Sequence, residues 1–592
     1  MEISDLPLEI LVEILTYLPV DRRQSASWRI NCFYEASTHP RFKNDFRLNL
    51  RAAHLDENTD PVQVFEGSHR VFGEVVFYDT TFGNGYEDFL EGICKFAETI
   101  SLKYKCRKVE TKNIVAVIGS CCDLKTLSIE LDEGFAVILN ASDKEKTKIR
   151  QGLKTIEHLK ISGPIEARIE SFVEFLDWMP KLKVLDLRNL DVFRSEERQF
   201  YDALLPYIER HSATLKGILF EKDYKPENLE KYKRLVQMSD LCLTQFAGTA
   251  LQNWKWSEAE YDCFRKFLQS KCKLDELRLN TAQQLEWGHL IEIIKEQKNL
   301  KRLEVDNFSF FPSVEAGLLH LLPKIESIVF RDSMDHQHQV WPLVNEENLV
   351  PAINYTLKEL VISKFYGLYT PVWLNCEYRA LTRLEIRDCE LEDEHVHLIC
   401  EKLPKLVDFT ITSPMITDFA ITGRPRRKSK AQTEKLKTAI VDLHQLKYLA
   451  LDYDSITKEA FEELKLVHLQ NLSLEGCERI NHAAILNIVS NCPNIEVLNV
   501  NYCNKLKDES IEAICKGLRK LRRLKINELP AVTEKVFEKI GNASNLRYLH
   551  MKDYVKIKNR HELASYLFKQ LQSLKIVKLG VRQEIHRNDV FC

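Results

Sequence analysis

The sequence predicts an α/β fold in which a short helical module precedes a long solenoid of strand–helix repeats. A Leu-x-Leu strand pattern followed by helical periodicity recurs over most of the 592 residues. Most neighbouring copies are about 23–27 residues apart, which is the spacing of stacked repeat units. Ahead of them lies an apolar stripe at helical spacing. We expect the module at 1–47, a linker or N-terminal cap at 48–70, the solenoid at 71–580 and a C-terminal tail at 581–592.

The first predicted element is an amphipathic helix that begins near Pro7, because proline fits the first helical turn, where its missing N–H costs nothing. Apolar side chains then recur at helical spacing, namely Leu6, Ile10, Leu11, Ile14, Leu15 and Leu18. A segment of about 45 residues rarely buries so wide a stripe by itself. The stripe is therefore expected to pack on the repeats, on a partner protein, or on both. A helical cap that shields the first repeat is the alternative.

This segment resembles an F-box, the helical module that docks a protein onto a cullin-based ubiquitin ligase. The resemblance lies in Leu6-Pro7, Glu9-Ile10-Leu11, Ile14-Leu15, Leu18 and Asp21, followed by Trp28 and Ile30, with Phe33 where the pattern has a tryptophan. It implies a Skp-family adaptor as partner and, through it, a cullin scaffold. It also implies a non-catalytic substrate receptor of an SCF-type ligase. The residues implied in adaptor binding are Leu6, Pro7, Ile10, Leu11, Ile14, Leu15, Leu18 and Phe33.

The clearest repeat lies near the C-terminus, where Ile495, Leu498 and Val500 precede Cys503 and a stretch with helical periodicity. This spacing matches the L-x-x-L-x-L-x-x-N/C template of leucine-rich repeats. The same frame begins at Leu124, Leu182, Leu274, Leu300, Leu357, Leu381, Leu469, Leu521 and Leu546. With weaker copies we count about nineteen units. Their accumulated curvature predicts a horseshoe or nearly closed ring, with parallel concave strands and convex helices.

The sixteen cysteines are explained by the repeat. Cys389, Cys477 and Cys503 occupy the N/C position of the template, where cysteine acts as a small buried hydrophobe. Their spacing lacks a compact disulfide framework and the order of a zinc site. The position also resembles the cysteine-containing repeat subclass that commonly accompanies F-boxes. We therefore predict neither a metal site nor a cofactor.

Composition and motifs argue against several function classes. A net charge of −3 and a pI of about 6.7 favour neither nucleic acid nor membrane. No apolar run reaches the roughly 18 residues of a membrane-spanning helix, and the N-terminus lacks a signal sequence, so we expect a soluble, intracellular protein in the cytoplasm, with the nucleus as the alternative. Phosphate-binding loops, nucleophile elbows and H-E-x-x-H pairs are missing from the sequence. The protein is therefore not predicted to be an enzyme.

A basic segment at 423–430 interrupts the repeats, and Gly423 and Pro425 argue there against regular structure. Nuclear import, contact with an anionic partner, and phosphorylation at Ser429 are the functional alternatives. A solvated, disordered loop is the structural one.

Recognition of a protein substrate is expected at the strand positions between the leucines, on the concave face. The candidates are Arg278, Arg331, Arg387, Asn501, Lys525, His550 and Lys552. Their charge favours an acidic or phosphorylated peptide, although Glu304, Glu385 and Asp452 occupy the same kind of position. Two other functions stay open. One is a ligand-sensing F-box receptor, in which a small molecule completes the substrate surface, and the other is a repeat scaffold outside any ligase.

Overall fold

The computed structural model divides into two compact units, Met1–Leu274 with Cys592, and Asp275–Phe591. The structure describes residues 6–18, 23, 31–45, 47–51, 72–78, 87–104, 111–131, 138, 141–164, 169–191, 197–220, 229–249, 258–280, 287–306, 319, 321–331, 353–363, 376–389, 391–424, 437–453, 455–552, 560–579 and 584–586. Asp21, Trp28 and Ile30 of the F-box resemblance lie outside these ranges, as do positions 425–430 of the predicted basic loop and most of the predicted linker and tail.

The first unit begins with the helical module. Pro7 precedes helix α1, Leu8–Thr16, and the Pro7 carbonyl accepts hydrogen bonds from the N–H groups of Ile10 and Leu11. Helix α2 spans Asn31–Ser37, and a 3-10 helix spans Pro40–Asp45. A core contributed by all three elements joins them, namely Leu11, Val12, Leu15, Phe33, Ala36 and Phe42.

A parallel sheet with intervening helices forms the rest of the first unit, and its strands pair in sequence order. The strands are β1 Arg47–Arg51, β2 Glu74–Tyr78, β3 Thr99–Tyr104, β4 Thr126–Leu131, β5 His158–Pro164, β6 Val184–Asp191, β7 Gly217–Phe220 and β8 Leu243–Thr249. The helices are α3 Glu87–Cys94, α4 Thr111–Gly119, α5 Asp143–Leu153, α6 Ile169–Leu176, α7 Glu197–Arg210, α8 Leu229–Gln237 and α9 Glu258–Lys271. The sheet therefore begins at Arg47, ahead of the position 71 expected from the sequence.

The second unit continues the same plan. Its main sheet pairs β9, β10, β11, β13 and β15 to β22 in parallel order, and β23 adds an antiparallel strand to β22. The strands are β9 Cys272–Asn280, β10 Arg302–Asp306, β11 Ser327–Arg331, β12 Ile353–Asn354, β13 Glu359–Ser363, β14 Glu377–Tyr378, β15 Arg383–Arg387, β16 Asp408–Thr412, β17 Tyr448–Leu451, β18 Asn471–Ser473, β19 Val497–Asn499, β20 Arg523–Lys525, β21 Tyr548–His550, β22 Ile576–Lys578 and β23 Glu584–His586. The helices are α10 Trp287–Ile294, α11 Asp393–Lys402, α12 Asp418–Thr422, α13 Lys458–Glu463, α14 His482–Asn491, α15 Asp508–Gly517, α16 Val536–Ile540 and α17 Arg560–Gln570.

Parallel register stacks the repeat leucines in buried rows. Leu384 and Ile386 of β15 pair with Phe409 and Ile411 of β16, and all four side chains are buried. Because side chains alternate along a strand, the positions between them point to the opposite side of the sheet, which we call the open face. This arrangement confirms the predicted α/β leucine-rich-repeat solenoid within each unit.

Two kinds of polar contact join consecutive repeats in the second unit. The thiols of Cys477 and Cys503 each donate a hydrogen bond to a leucine carbonyl of the preceding repeat, with S···O distances of 2.8 and 3.0 Å. The Asp508 carboxylate accepts from the backbone N–H and the hydroxyl of Thr533, at 2.8 and 2.5 Å. Cysteine at the N/C position is therefore both a small buried side chain and a hydrogen-bond donor between repeats.

Candidate interaction surfaces

Helix α1 of the helical module carries apolar side chains on its outer side. Leu8 and Ile10 are 47% and 48% exposed, and the neighbouring Pro7 is exposed as well. Ile10 points away from the side of α1 that Leu11, Val12 and Leu15 occupy, whereas Leu8 is in phase with those core residues and is exposed because it is the first residue of the helix. The exposed group, Pro7, Leu8 and Ile10, is an apolar surface that the module's own fold does not use.

The eight residues that the F-box resemblance implies for adaptor binding divide into three groups. Pro7 and Ile10 are exposed, and Leu6, Ile14 and Leu18 pack part-buried against the module's core. The remaining three, Leu11, Leu15 and Phe33, are 3%, 0% and 5% exposed. Their burial leaves them almost no surface for a partner, so their role in the structure is to hold α1 in place. Leu8, which sequence reasoning did not select, is exposed beside Ile10.

A part-buried ion pair fixes the end of α1 to the 3-10 helix. The Arg23 guanidinium contacts the Asp45 carboxylate at 2.6 Å and donates a second hydrogen bond to the carbonyl of Leu18, also at 2.6 Å. The same guanidinium lies 5.4 Å from the ring centroid of Phe42, within the range of a cation–π contact. These contacts hold the exposed side of α1 in one orientation before any partner binds.

On the open face of β9 to β11, the predicted substrate-binding arginines are paired with the protein's own carboxylates. Glu304 lies between Arg331 and Arg278, at 2.5 and 3.3 Å. Arg278 also contacts Glu276 at 2.6 Å, and Arg331 contacts Asp306 at 3.1 Å. Burial alone would raise the pKa of Glu304, but the hydrogen bond from Arg331 and the charges of both arginines lower it. This cluster is neutralised internally.

Two further candidates are paired in the same way. Arg387 contacts Glu385 within its own strand at 2.6 Å. Lys552 contacts Glu528 of the preceding repeat at 3.0 Å. The positive charges that the sequence predicted for these positions are therefore largely compensated on the protein surface.

The predicted candidate Asn501 belongs to a row of buried asparagines on the open face. Asn499, Asn501 and Asn527 are 8%, 6% and 4% exposed. The side-chain amides of Asn499 and Asn501 donate to Glu475 at 2.7 and 3.4 Å, and the Asn501 side-chain oxygen accepts from the backbone N–H of Asn527 at 2.9 Å. Asn501 thus serves chiefly to connect neighbouring repeats.

Lys525 differs from the other predicted cations. It lies half-buried on the open face of β20, and in the part of the chain that the structure describes it forms no ion pair. The parallel register places it beside the predicted candidate His550 of β21, which in turn lies beside Lys578 of β22. Arg523, two positions earlier on β20, is exposed on the same face and is likewise unpaired among the described residues. Sequence reasoning missed Arg523, although its position two residues before Lys525 is the signal that could have found it.

The described residues contain neither a metal-binding cluster nor a membrane-spanning helix. Within those ranges, no three histidine, cysteine or acidic side chains come together in a way that could hold a metal ion. Burial raises the pKa of the Cys503 and Cys515 thiols to about 12, so both stay protonated at neutral pH. None of the described helices combines the length and apolar character needed to span a bilayer.

No protein-family model and no curated protein matches the chain. Among solved structures, the complex of Rad7 and Elc1 in yeast matches at 16% identity, over 62% of this chain and 92% of that chain, with a TM-score of 0.36. The complex of TLR13 with ssRNA13 matches at 13% identity, over 85% of this chain and 69% of that chain, with a TM-score of 0.39. At these values the likeness has no bearing on function.

Proposed function

We propose that this protein is the substrate-recognition subunit of an SCF-type ubiquitin ligase. The helical module binds a Skp-family adaptor and, through it, a cullin scaffold, while the repeats bind a protein substrate. The protein acts in the cytoplasm or nucleus and promotes ubiquitination and proteasomal degradation of that substrate. Its contribution to rate is proximity, because it holds the substrate near the conjugating enzyme and performs no chemistry itself.

The observation that carries the proposal is the exposed apolar surface of α1. Ile10 is half exposed on the side of α1 opposite its core residues, and Leu8 is half exposed at the N-terminal end of the helix. Complete burial of a fully exposed side chain of this kind is worth about 1.5–3 kcal/mol, so covering the exposed half of each should contribute roughly half of that. The F-box resemblance of the same segment names the class of partner that would cover it.

Co-purification of the full chain with a Skp-family adaptor tests the proposal, with Ile10→Asp as the disabling variant. A charge in an apolar interface has no partner there, so adaptor binding is expected to be lost. Val467→Asp is the matched control, because Val467 is 52% exposed in the repeats and receives the same substitution. Ile14 is less suitable, since it packs against the module's core and its substitution would disturb folding.

Adaptor binding by the full chain and by Val467→Asp, together with loss in a folded Ile10→Asp variant, is the expected result. Undiminished binding by Ile10→Asp would contradict the proposed docking surface. A full chain that binds no adaptor would instead favour a repeat scaffold outside any ligase.

A further inference from the structure

A small group of cations on the open face of β20 to β22 lacks the internal partners found elsewhere on that face. Arg523 and Lys525 lie on the same side of β20, because they are two residues apart. Lys578 lies two strands away in the same row as Lys525. In the described ranges these three side chains form no ion pair, whereas Arg387 and Lys552 each contact a carboxylate.

Of these three, Arg523 and Lys525 carry the argument. Lys578 is in backbone register with Glu584 of β23, at the antiparallel end of the sheet. Arg523 and Lys525 have asparagine, valine, tyrosine and histidine as their register neighbours, namely Val497 and Asn499 on one side and Tyr548 and His550 on the other. None of these four direct register neighbours carries a carboxylate that could neutralise Arg523 or Lys525.

A buried polar atom lies next to these cations. The side-chain oxygen of Asn527 has no hydrogen-bond partner among the described residues, although Asn527 is only 4% exposed. Its amide nitrogen lies 3.1 Å from the Nδ1 atom of His550. If the oxygen and nitrogen of this amide changed places, the atom without a partner would be the NH2 donor instead of the carbonyl acceptor. Because this atom is buried, a partner can reach the two cations but not the Asn527 side chain.

We propose that the open face of β19 to β22 binds an acidic segment of a partner protein. Carboxylates of that segment contact Arg523 and Lys525. Paired cations elsewhere on the open face do not compete for the segment, since their charges are already neutralised. This inference rests on the proposed function in one respect, because the segment would belong to the ligase substrate.

Panning a library of random peptides against the full-length protein tests the inference, because the library covers substrate segments of any sequence. Selected peptides are expected to be enriched in aspartate and glutamate. Labelled synthetic copies are then titrated into the protein by fluorescence polarisation. The matched probes are the same peptide with Asn and Gln replacing its acids, a serine-phosphorylated copy, and a single-stranded DNA of similar charge.

The variants Lys525→Glu and Arg523→Glu should each weaken binding of the acidic peptide by about tenfold or more, the effect of losing a charge-assisted contact. Lys535→Glu is the charge-matched control, because Lys535 is exposed at the start of helix α16 in the same region of sequence. Tighter binding of the phosphorylated copy would identify phosphate as a source of the negative charge.

Several results would overturn the inference: no enriched peptide, enriched peptides without acids, equal weakening by Lys535→Glu, or DNA binding as tight as that of the peptide. The proposed function is tested separately, because Ile10→Asp should retain peptide binding and Lys525→Glu should retain adaptor binding. A negative result for peptide binding therefore does not contradict the proposed adaptor binding, and a negative result for adaptor binding does not contradict the proposed peptide binding.

Discussion

The helical module and the open face of β19 to β22 present opposite chemistry to solvent. On α1, Leu8 and Ile10 are exposed beside Pro7. On β20, the intervening Leu524 is completely buried, and Arg523 and Lys525 occupy the outward positions. Ile10 and the two cations each lie on the side of their element that faces away from the core, but the sequence fills these outer positions with different chemistry.

This difference teaches that the two surfaces suit different kinds of partner. Apolar burial is non-directional and nearly independent of ionic strength, which suits constant docking to one adaptor. Charged contacts favour discrimination between partners and weaken as salt screens them. The proposed substrate surface, with its few cations unpaired among the described residues, can therefore be selective without a deep pocket.

The largest expected effect contrasts a buried and an exposed aliphatic side chain. Leu498→Ala in β19 should lower the free energy of unfolding by about 2–5 kcal/mol, because Leu498 is completely buried and its loss leaves a cavity. Ile10→Ala should change it by less than about 0.5 kcal/mol, since the side chain is already in solvent. Urea denaturation followed by circular dichroism measures both. A large loss of stability for Ile10→Ala would show that the module's outer surface is needed for folding.

An intermediate effect concerns the internally neutralised charges on β9 to β11. Glu304→Gln should cost about 1–3 kcal/mol at pH 7, because it weakens the contacts to Arg278 and Arg331. The pKa of Glu304 is lower in the folded protein than in the unfolded chain, so its contribution is present above about pH 4.3. That contribution is lost as the pH falls through the folded pKa.

The difference in stability between the parent protein and Glu304→Gln should therefore shrink below about pH 4. Glu509→Gln is the control, because Glu509 is exposed at the start of α15, and its substitution should change the free energy of unfolding by less than about 0.5 kcal/mol. A constant difference down to about pH 3 would argue against the ion pairs as its source.

The smallest expected effect, in free energy, is the response of the two surfaces to salt. Raising the concentration of NaCl from about 0.05 to 0.5 M shortens the Debye length from roughly 14 to 4 Å. Acidic-peptide binding at β19 to β22 should weaken several-fold, and adaptor binding to α1 should hardly change. Fluorescence polarisation at several salt concentrations measures both affinities. Parallel weakening of both would remove the distinction between the surfaces.

The buried core of the repeats was predictable from the sequence. The ion pairs on the open face of β9 to β11 were not predicted. Leu384 and Leu498 could be placed in the core because repeat spacing and strand period fix which face each occupies. The sequence makes Arg278 and Arg331 candidates for binding an acidic segment and places Glu304 at the same kind of position, but repeat spacing within one strand does not show which side chains meet across the sheet. Aligning neighbouring repeats would have placed Arg278 next to Glu304, as the parallel register does.

In the module, the helical stripe was predictable but its division between core and surface was not. Leu11 and Leu15 are buried because α2 and the 3-10 helix cover that side of α1. The position of Phe33 on α2 decides which side is covered, and a single-helix pattern carries no information about it. Tertiary packing, and not local spacing, separates Leu15 from Ile10.

The central claim is that docking and substrate recognition occupy separate surfaces. Hydrogen–deuterium exchange of the full chain, measured with and without a Skp-family adaptor, tests it most directly. We expect the adaptor to slow exchange in α1, including the N–H groups of Ile10 and Leu11, and to leave β19 to β22 unchanged. Protection of β19 to β22 without protection of α1 would contradict the account.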